Sequence, residues 1–321
     1  VEVAEAEAGY VPHVVITRQE GKKILDVKID DKLFTRFHYA EDWKKPFLWP
    51  VMSEGEVGVT RDYPMEKGDT PKHARDHVHH KSLYCAYGEV NGADLWGEGE
   101  GSGFQVVKNV TWGSGDAYGW IAAEVSWQDG DHKHIMTENR EYRFYATPVE
   151  GRLIDQMVNF VADRGEVALT DTKEGGIVAV RMRPEIAYRN ADITNAYGDK
   201  GERECWGKPS PWCDYSAEME DVGYRGLAVF DYPSNLRHPT SWHVRRYGLM
   251  GANCFGYSYF IDKDYNKPLL PSDNGDYTIE DGGTLSFYHR VFVHSGDVEE
   301  AAVADRYNDF ASPPEVAWED K

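Results

Sequence analysis

Apolar and polar positions alternate along most of this 321-residue chain, in short runs separated by turn residues. ILDVKID and KLFTRFHY flank Asp30-Asp31 and predict a β-hairpin. From Phe104 to Ala162 such runs follow closely, broken at Gly113-Ser114-Gly115-Asp116, Asp129-Gly130-Asp131 and Glu150-Gly151. Segments such as KHIMTENREYRFYA and RLIDQMVNFVA have the period of two expected of antiparallel strands with one face buried. Further strands are expected at GGIVAVRM, YRGLAVFDY, SWHVRRY, NCFGYSYFI and TLSFYHRVFVHS. Phe47–Met52 contains Pro50, which lacks an N–H and predicts an edge strand at best. Only the end has helical spacing. Asp297 with Glu300 forms a capping box ahead of VEEAAVADRYNDFA, and Pro313-Pro314 stops the helix. The expected fold is all-β: a single antiparallel sandwich over 11–321 with a short C-terminal helix, after a loose acidic leader at 1–10.

Charge narrows the partners. With 55 acidic and 35 basic residues the net charge is -20, opposite to the positive field that nucleic acid requires. There is no apolar run of about 18 residues and no basic-then-apolar leader, so neither a membrane span nor a signal peptide is read. Four cysteines do not make a disulfide scaffold, although Cys205 and Cys213 bracket a turn and either close it by a disulfide or stay as thiols.

Chemistry concentrates in two stretches. RDHVHHKSL, from Arg75 to Leu83, holds three histidines, and imidazole titrates nearest neutrality. On a strand His77 and His79 would share a face, with His80 opposite; the pair suits acid/base work or, with a third ligand, a divalent metal. NLRHPTSWHVR, from Asn235 to Arg245, lies roughly 160 residues downstream. Alternation puts His243 and Arg245 on one face and Trp242 and Val244 on the other, with an acid/base group beside a guanidinium able to clamp a carboxylate. One groove explains both stretches more simply than two, so His77, His79, His238 and His243 are expected to line a common pocket beside Arg245. DTKEGG adds Lys173 and Glu174 in a turn. Trp96, Trp112, Trp120, Trp206 and Trp212 are candidate faces for sugar rings, and Trp242 is a further candidate substrate-binding residue. No phosphate loop, nucleophile elbow or dinucleotide fingerprint occurs.

In order along the chain, GVTRDYP (58–64), DHVHHKSL (76–83), NGADLWGE (91–98), DTKEGG (171–176), NLRHPTSWHVR (235–245) and YGLMGANCFG (247–256) resemble the bacterial proteins labelled PmoA-like. The methane-oxygenase sense of that label finds no support in a chain without a membrane span or copper-site pattern. Relatives usually carry proline where this chain has Val78 and Cys254. The family is similar to the galactose mutarotase-like β-supersandwich, and its frequent company with polysaccharide-degrading genes implies a sugar-active protein, periplasmic or secreted. The expected activity is elimination at a uronic acid of an acidic polysaccharide, a carbon–oxygen lyase reaction. His79 or His243 is then the base, Tyr63 or His77 the acid, and Arg245 or Arg61 the clamp. Aldose epimerisation using Glu174 or Asp155, glycoside hydrolysis, and carbohydrate binding without catalysis are the alternatives. An enzyme using histidine is expected to titrate between about pH 5 and 8, and a stacking binder is not.

Overall fold

The computed structural model describes residues 13–68, 70–148, 150–262, 267–268 and 274–314. The acidic leader lies outside the described residues. Two large antiparallel sheets face one another. The first runs Val14–Arg18, Ile24–Ile29, Lys32–His38, Phe47–Ser53, Leu83–Tyr87, Gly175–Arg181, Leu249–Ala252 and Trp242–Arg245, with Val57–Gly58 paired alongside. The second runs Asp192–Asn195, Trp212–Met219, Gly223–Asp231, Thr284–Ser295, Gly151–Val161, His134–Tyr145, Tyr118–Gln128 and Phe104–Gly113. The all-β antiparallel sandwich read from the alternation is the observed architecture.

Alternation sorts each strand into an inner and an outer face. Val27, Phe37, Leu83, Val180, Trp242 and Val244 meet Ile121, Val125, Trp127, Val158, Phe160 and Val291 between the sheets. The intervening residues Tyr84, Ala86, Ala179 and Leu249 point outwards and form a second cluster with Phe47 and Trp96. This outer cluster is the base of the candidate site. A polar network sits in the inner core. Glu138 and Arg140, two residues apart and therefore on the same face, are fully buried and joined by two hydrogen bonds of 2.5 and 2.7 Å. Trp127 Nε1 donates to Glu138 at 2.6 Å, and Arg140 reaches Gln105 Oε1 at 3.1 Å, whose amide donates to the Cys85 carbonyl of the facing sheet at 3.0 Å.

Two local expectations are corrected. The strand with Pro50 is internal, between Lys32–His38 and Leu83–Tyr87. A register shift between Thr35 and Phe37 absorbs the missing donor by opposing Thr35 to Val51 and Phe37 to Leu48. At the C-terminus the capping box forms, with Asp297 Oδ1 accepting the Glu300 N–H at 2.9 Å and Glu300 Oε2 accepting the Asp297 N–H at 3.2 Å. Yet the helix covers only Val303–Ala311, because Ala302 adopts φ 52° and interrupts the helical turn. This helix packs Val303 and Phe310 on Phe230 and Phe292 of the second sheet's outer face. All four cysteines are buried thiols, Cys205 and Cys213 in contact with each other.

Candidate active site

A cleft of about 920 Å³ opens over the outer face of the first sheet, within the usual range of small-molecule sites. It brings together the two histidine stretches. His77, His79, Trp96, Lys173, Glu174, His243 and Arg245 all line it. The Trp96 ring joins the stretches, its centroid 6.1 Å from His79 and 6.2 Å from His243. At 3% exposure Trp96 is the floor of the cleft, holding the imidazoles apart, and not an open stacking platform.

Five residues considered for the site are elsewhere. Trp242 does share a face with Val244, but that is the inner face, where it is fully buried and donates to the Ser210 carbonyl at 2.9 Å. His238 is outside the cleft, bound through Nδ1 to buried Asp231 at 2.8 Å. Tyr63 lies under the Arg61 guanidinium, 5.5 Å from it, and does not line the cleft. Arg61 is 1% exposed and serves the loop instead of a substrate: its guanidinium donates to the carbonyls of Ala74, Asp76, His77 and His80 and to Asp76 Oδ1. Asp155, weighed as an epimerase carboxylate, is buried on the second sheet with Arg290, Tyr145 and Tyr288.

Because Arg61 gathers it, the histidine stretch is a looped segment and not a strand, with His77 at φ 42° and a turn closed by His80 N–H to the His77 carbonyl at 2.9 Å. This overturns the expected faces. His77 stacks on His80, centroids 4.9 Å apart and 8° from parallel, whereas His79 meets both edge-on. Tyr247 also stacks on His77, at 5.1 Å and 11°, and lies 6.3 Å from His80.

Hydrogen bonds assign the ring nitrogens. Arg181 Nη1 lies 3.0 Å from His80 Nδ1; guanidinium only donates, so His80 carries its proton on Nε2. His77 Nδ1 lies 2.9 Å from Asp76 Oδ2, an ion-pair contact that places the carboxylate where it favours a proton on Nδ1 over Nε2. Asp76 is in turn fixed by Arg61 at 2.9 Å and Arg181 at 2.6 Å. Burial opposes its ionisation, but the His77 hydrogen bond and the Arg181 and Arg61 charges prevail and hold the carboxyl well below the usual range. Burial, reinforced by Lys45, lowers His79 to about 3, and burial with Arg245 and Lys173 lowers His243 to about 3. His80 is likewise held well below its ordinary value by burial and the neighbouring cations. Burial raises the Tyr247 phenol to about 12 against Arg181 and Arg245, and among the described residues its hydroxyl makes no hydrogen bond. At neutral pH His79, His80 and His243 are thus neutral imidazoles and Tyr247 a protonated phenol.

The cations are supported from outside the two stretches. Arg245 lies over Trp206 at 5.2 Å and bonds Glu202 at 3.0 Å; Lys173 pairs with Glu174. Asn253 accepts no part in the chemistry but holds the 172–174 turn, donating to the Thr172 carbonyl at 2.9 Å. A Cβ at Gly175 would sit 2.8 Å from the Tyr87 ring, so only glycine lets this turn approach. Beneath the loop, buried Lys45 and Lys81 share Glu98 at 3.3 and 2.6 Å. Together with Arg61 and Arg181 on the single Asp76, four cations here meet two carboxylates, a local positive excess in an acidic chain. The sequence placed Asp76 in the histidine stretch and offered Arg181 as a pocket cation without a role for either, and missed Glu202 and Tyr247 as site residues. Tyr247 continued the alternate spacing of His243 and Arg245, a signal that was present.

Among the described residues no group of three or more His, Cys, Asp and Glu side chains is arranged to hold a metal ion. His77 and His79, considered as its ligands, have ring centroids 5.7 Å apart at 77°.

The neutral state of these imidazoles predicts a pH dependence of stability. Unfolded histidines bind protons as pH falls below about 6.5, whereas folded His79 and His243 stay neutral to about 3 and His38, by burial, to about 4. Stability is therefore full above pH 6.5 and lost on acidification, at roughly 1.4 kcal/mol per pH unit for each such histidine. Urea midpoints at pH 7 and pH 5 should differ clearly; equal midpoints would show these rings to be solvated.

Residues 24–308 match the family described as DUF6807, a family of unknown function, and the chain belongs to it. No curated protein matches the sequence. Among solved structures it is similar to a polysaccharide lyase at 12% identity and a TM-score of 0.36, covering 90% of this chain and 33% of that one. It is also similar to a TPR-domain containing protein from Parabacteroides distasonis, at 10% identity, TM-score 0.31 and coverage of 86% and 46%. Galactose 1-epimerase from Lactobacillus acidophilus is matched at 7% identity, TM-score 0.35 and coverage of 88% and 98%. The chain spans about a third of the lyase's length, and likenesses this distant carry no argument about activity. No helix among the described residues is long and apolar enough to cross a membrane.

Proposed function

We propose that this protein is a carbohydrate-active enzyme that works by proton transfer in the histidine cleft, as a lyase eliminating across a uronic acid. The observation that carries the reading is the Asp76–His77 pair: a carboxylate clamped by two arginines sits 2.9 Å from Nδ1 of an imidazole that lines the cleft and stacks on the Tyr247 ring. His77 takes the proton from C5, the C–H electrons form the C4–C5 double bond, and the O4 leaving group takes the Tyr247 proton. Arg245, with Lys173 alongside, neutralises the substrate carboxylate that acidifies C5. Neutral His79, His80 and His243 hydrogen-bond hydroxyls, and the substrate's charge raises the proton affinity of the rings it approaches. The base thus moves to His77 from His79 or His243, and the acid to Tyr247 from Tyr63.

A second reading, aldose epimerisation, is favoured by one observation: Arg245 and Lys173 already carry the carboxylates Glu202 and Glu174. Such pairing suits a neutral sugar, with Glu174 moving the proton. Arg245→Ala separates the two. Elimination, followed as absorbance of the new double bond on uronic-acid glycans, should fall about 100-fold or more, the loss seen on removing one charge-stabilising donor. Survival of activity on neutral aldoses in the same variant would establish epimerisation instead.

A further inference from the structure

The second sheet carries an open groove of about 600 Å³ on its outer face, remote from the histidine cleft in residues and in sheet. Five strands contribute one residue each to a row in direct register, Asn109, Glu124, Asn139, Asn159 and Ser286. Directly opposed residues share a face, so these polar side chains form one strip running across the strands. Two residues along each strand lies a parallel row, Thr111, Ala122, Glu141, Met157 and Tyr288, in which Ala122, Met157 and Tyr288 supply apolar surface and Glu141 is paired with Arg143 at 2.7 Å. The loop at Ser234 and Asn235 walls the groove where the C-terminal helix packs Phe310 on Tyr288.

The two strips differ from the rest of this surface. In a chain with 28% charged residues, the polar strip holds a single carboxylate. Its neighbours on the far side satisfy one another: Ser126 bonds His134 at 2.7 Å, and His134 and Thr137 bond Asp163 at 2.8 and 2.9 Å. By contrast, among the described residues the side chains of Asn109, Glu124 and Asn139 make no hydrogen bond, and Asn159 receives one, from Ser286 at 2.9 Å. Amides beside the apolar faces of Ala122, Met157 and the Tyr288 ring match the chemistry of a sugar ring, which presents hydroxyls at its rim and C–H groups on its face. With strands about 4.8 Å apart, the strip is about 19 Å long, room for several rings in line.

We infer that this groove is a second carbohydrate site that binds a neutral oligosaccharide chain lying across the strands. It does not depend on the chemistry assigned to the histidine cleft. Affinity electrophoresis of the full chain through gels containing soluble neutral polysaccharides (xylan, galactomannan, β-glucan, starch) or polygalacturonate tests it. At least one neutral polymer should retard the wild-type protein. N139A/N159A, and separately N139R at the exposed Asn139, should bind it about tenfold or more weakly with unchanged thermal midpoints. H77A should be retarded like wild type. Retardation by polygalacturonate alone, by no polymer, equally in the groove variants, or lost in H77A would each overturn the inference.

Discussion

Replacing His77 with alanine is expected to lower turnover by about 10²- to 10⁴-fold, the contribution of a positioned general base. The same change should leave stability within about 0.5 kcal/mol, since His77 is a half-exposed side chain and Asp76, its ion-pair partner, keeps both arginines. Asp76→Asn separates orientation from chemistry. It keeps an acceptor for His77 Nδ1–H but removes the charge that Arg61 and Arg181 share, so both activity and stability should fall. Steady-state rates and urea unfolding on the two variants check this; an H77A enzyme as active as wild type would remove His77 from the chemistry.

The largest effect on stability is expected at Arg140. Its guanidinium and the Glu138 carboxylate are both buried between the sheets, so Arg140→Ala leaves a carboxylate without its partner and should cost about 3–5 kcal/mol. Glu138→Leu combined with Arg140→Met, which removes both charges, should recover most of that loss, because the apolar pair pays no desolvation of ions. Denaturant unfolding of the single and double variants measures the difference. A double variant no more stable than Arg140→Ala would show that Trp127 and Gln105, which also bond this pair, hold the network's energy.

Much of the fold was legible because a strand's period of two is written residue by residue. Val27, Val158 and Val291 fall on inner faces as alternation requires, and the hairpin turns at Asp30 and Asp31, whose φ values of 53° and 62° suit a tight turn. Pro50 was misread since its tolerance depends on a shift in the neighbouring strand, and the helix start since the break at Ala302 follows a capping box that is itself intact. In the site, alternation placed His243 and Arg245 together, and the density of histidines pointed to one pocket. What failed there were the inferences that needed long-range partners. Arg61 reads in sequence as a free cation, and only the fold shows four carbonyls closing around it; Trp242 reads as a substrate-binding residue until its face is known to be the inner one. His77 was placed on a strand, and the loop that Arg61 gathers turned it onto His80 and Tyr247.

The central claim is that the histidine cleft transforms a sugar and does not merely hold one. Proton NMR of wild-type protein incubated with a panel of uronic-acid oligosaccharides and neutral aldoses tests this most directly, because it sees a new vinyl proton and a shifted anomer equilibration rate in the same spectra. A vinyl signal that appears with uronic-acid oligosaccharides, and is lost with H77A, is the expected result. Sugars that broaden on binding yet show neither new signals nor faster anomer exchange would contradict it and leave a carbohydrate-binding protein without catalysis.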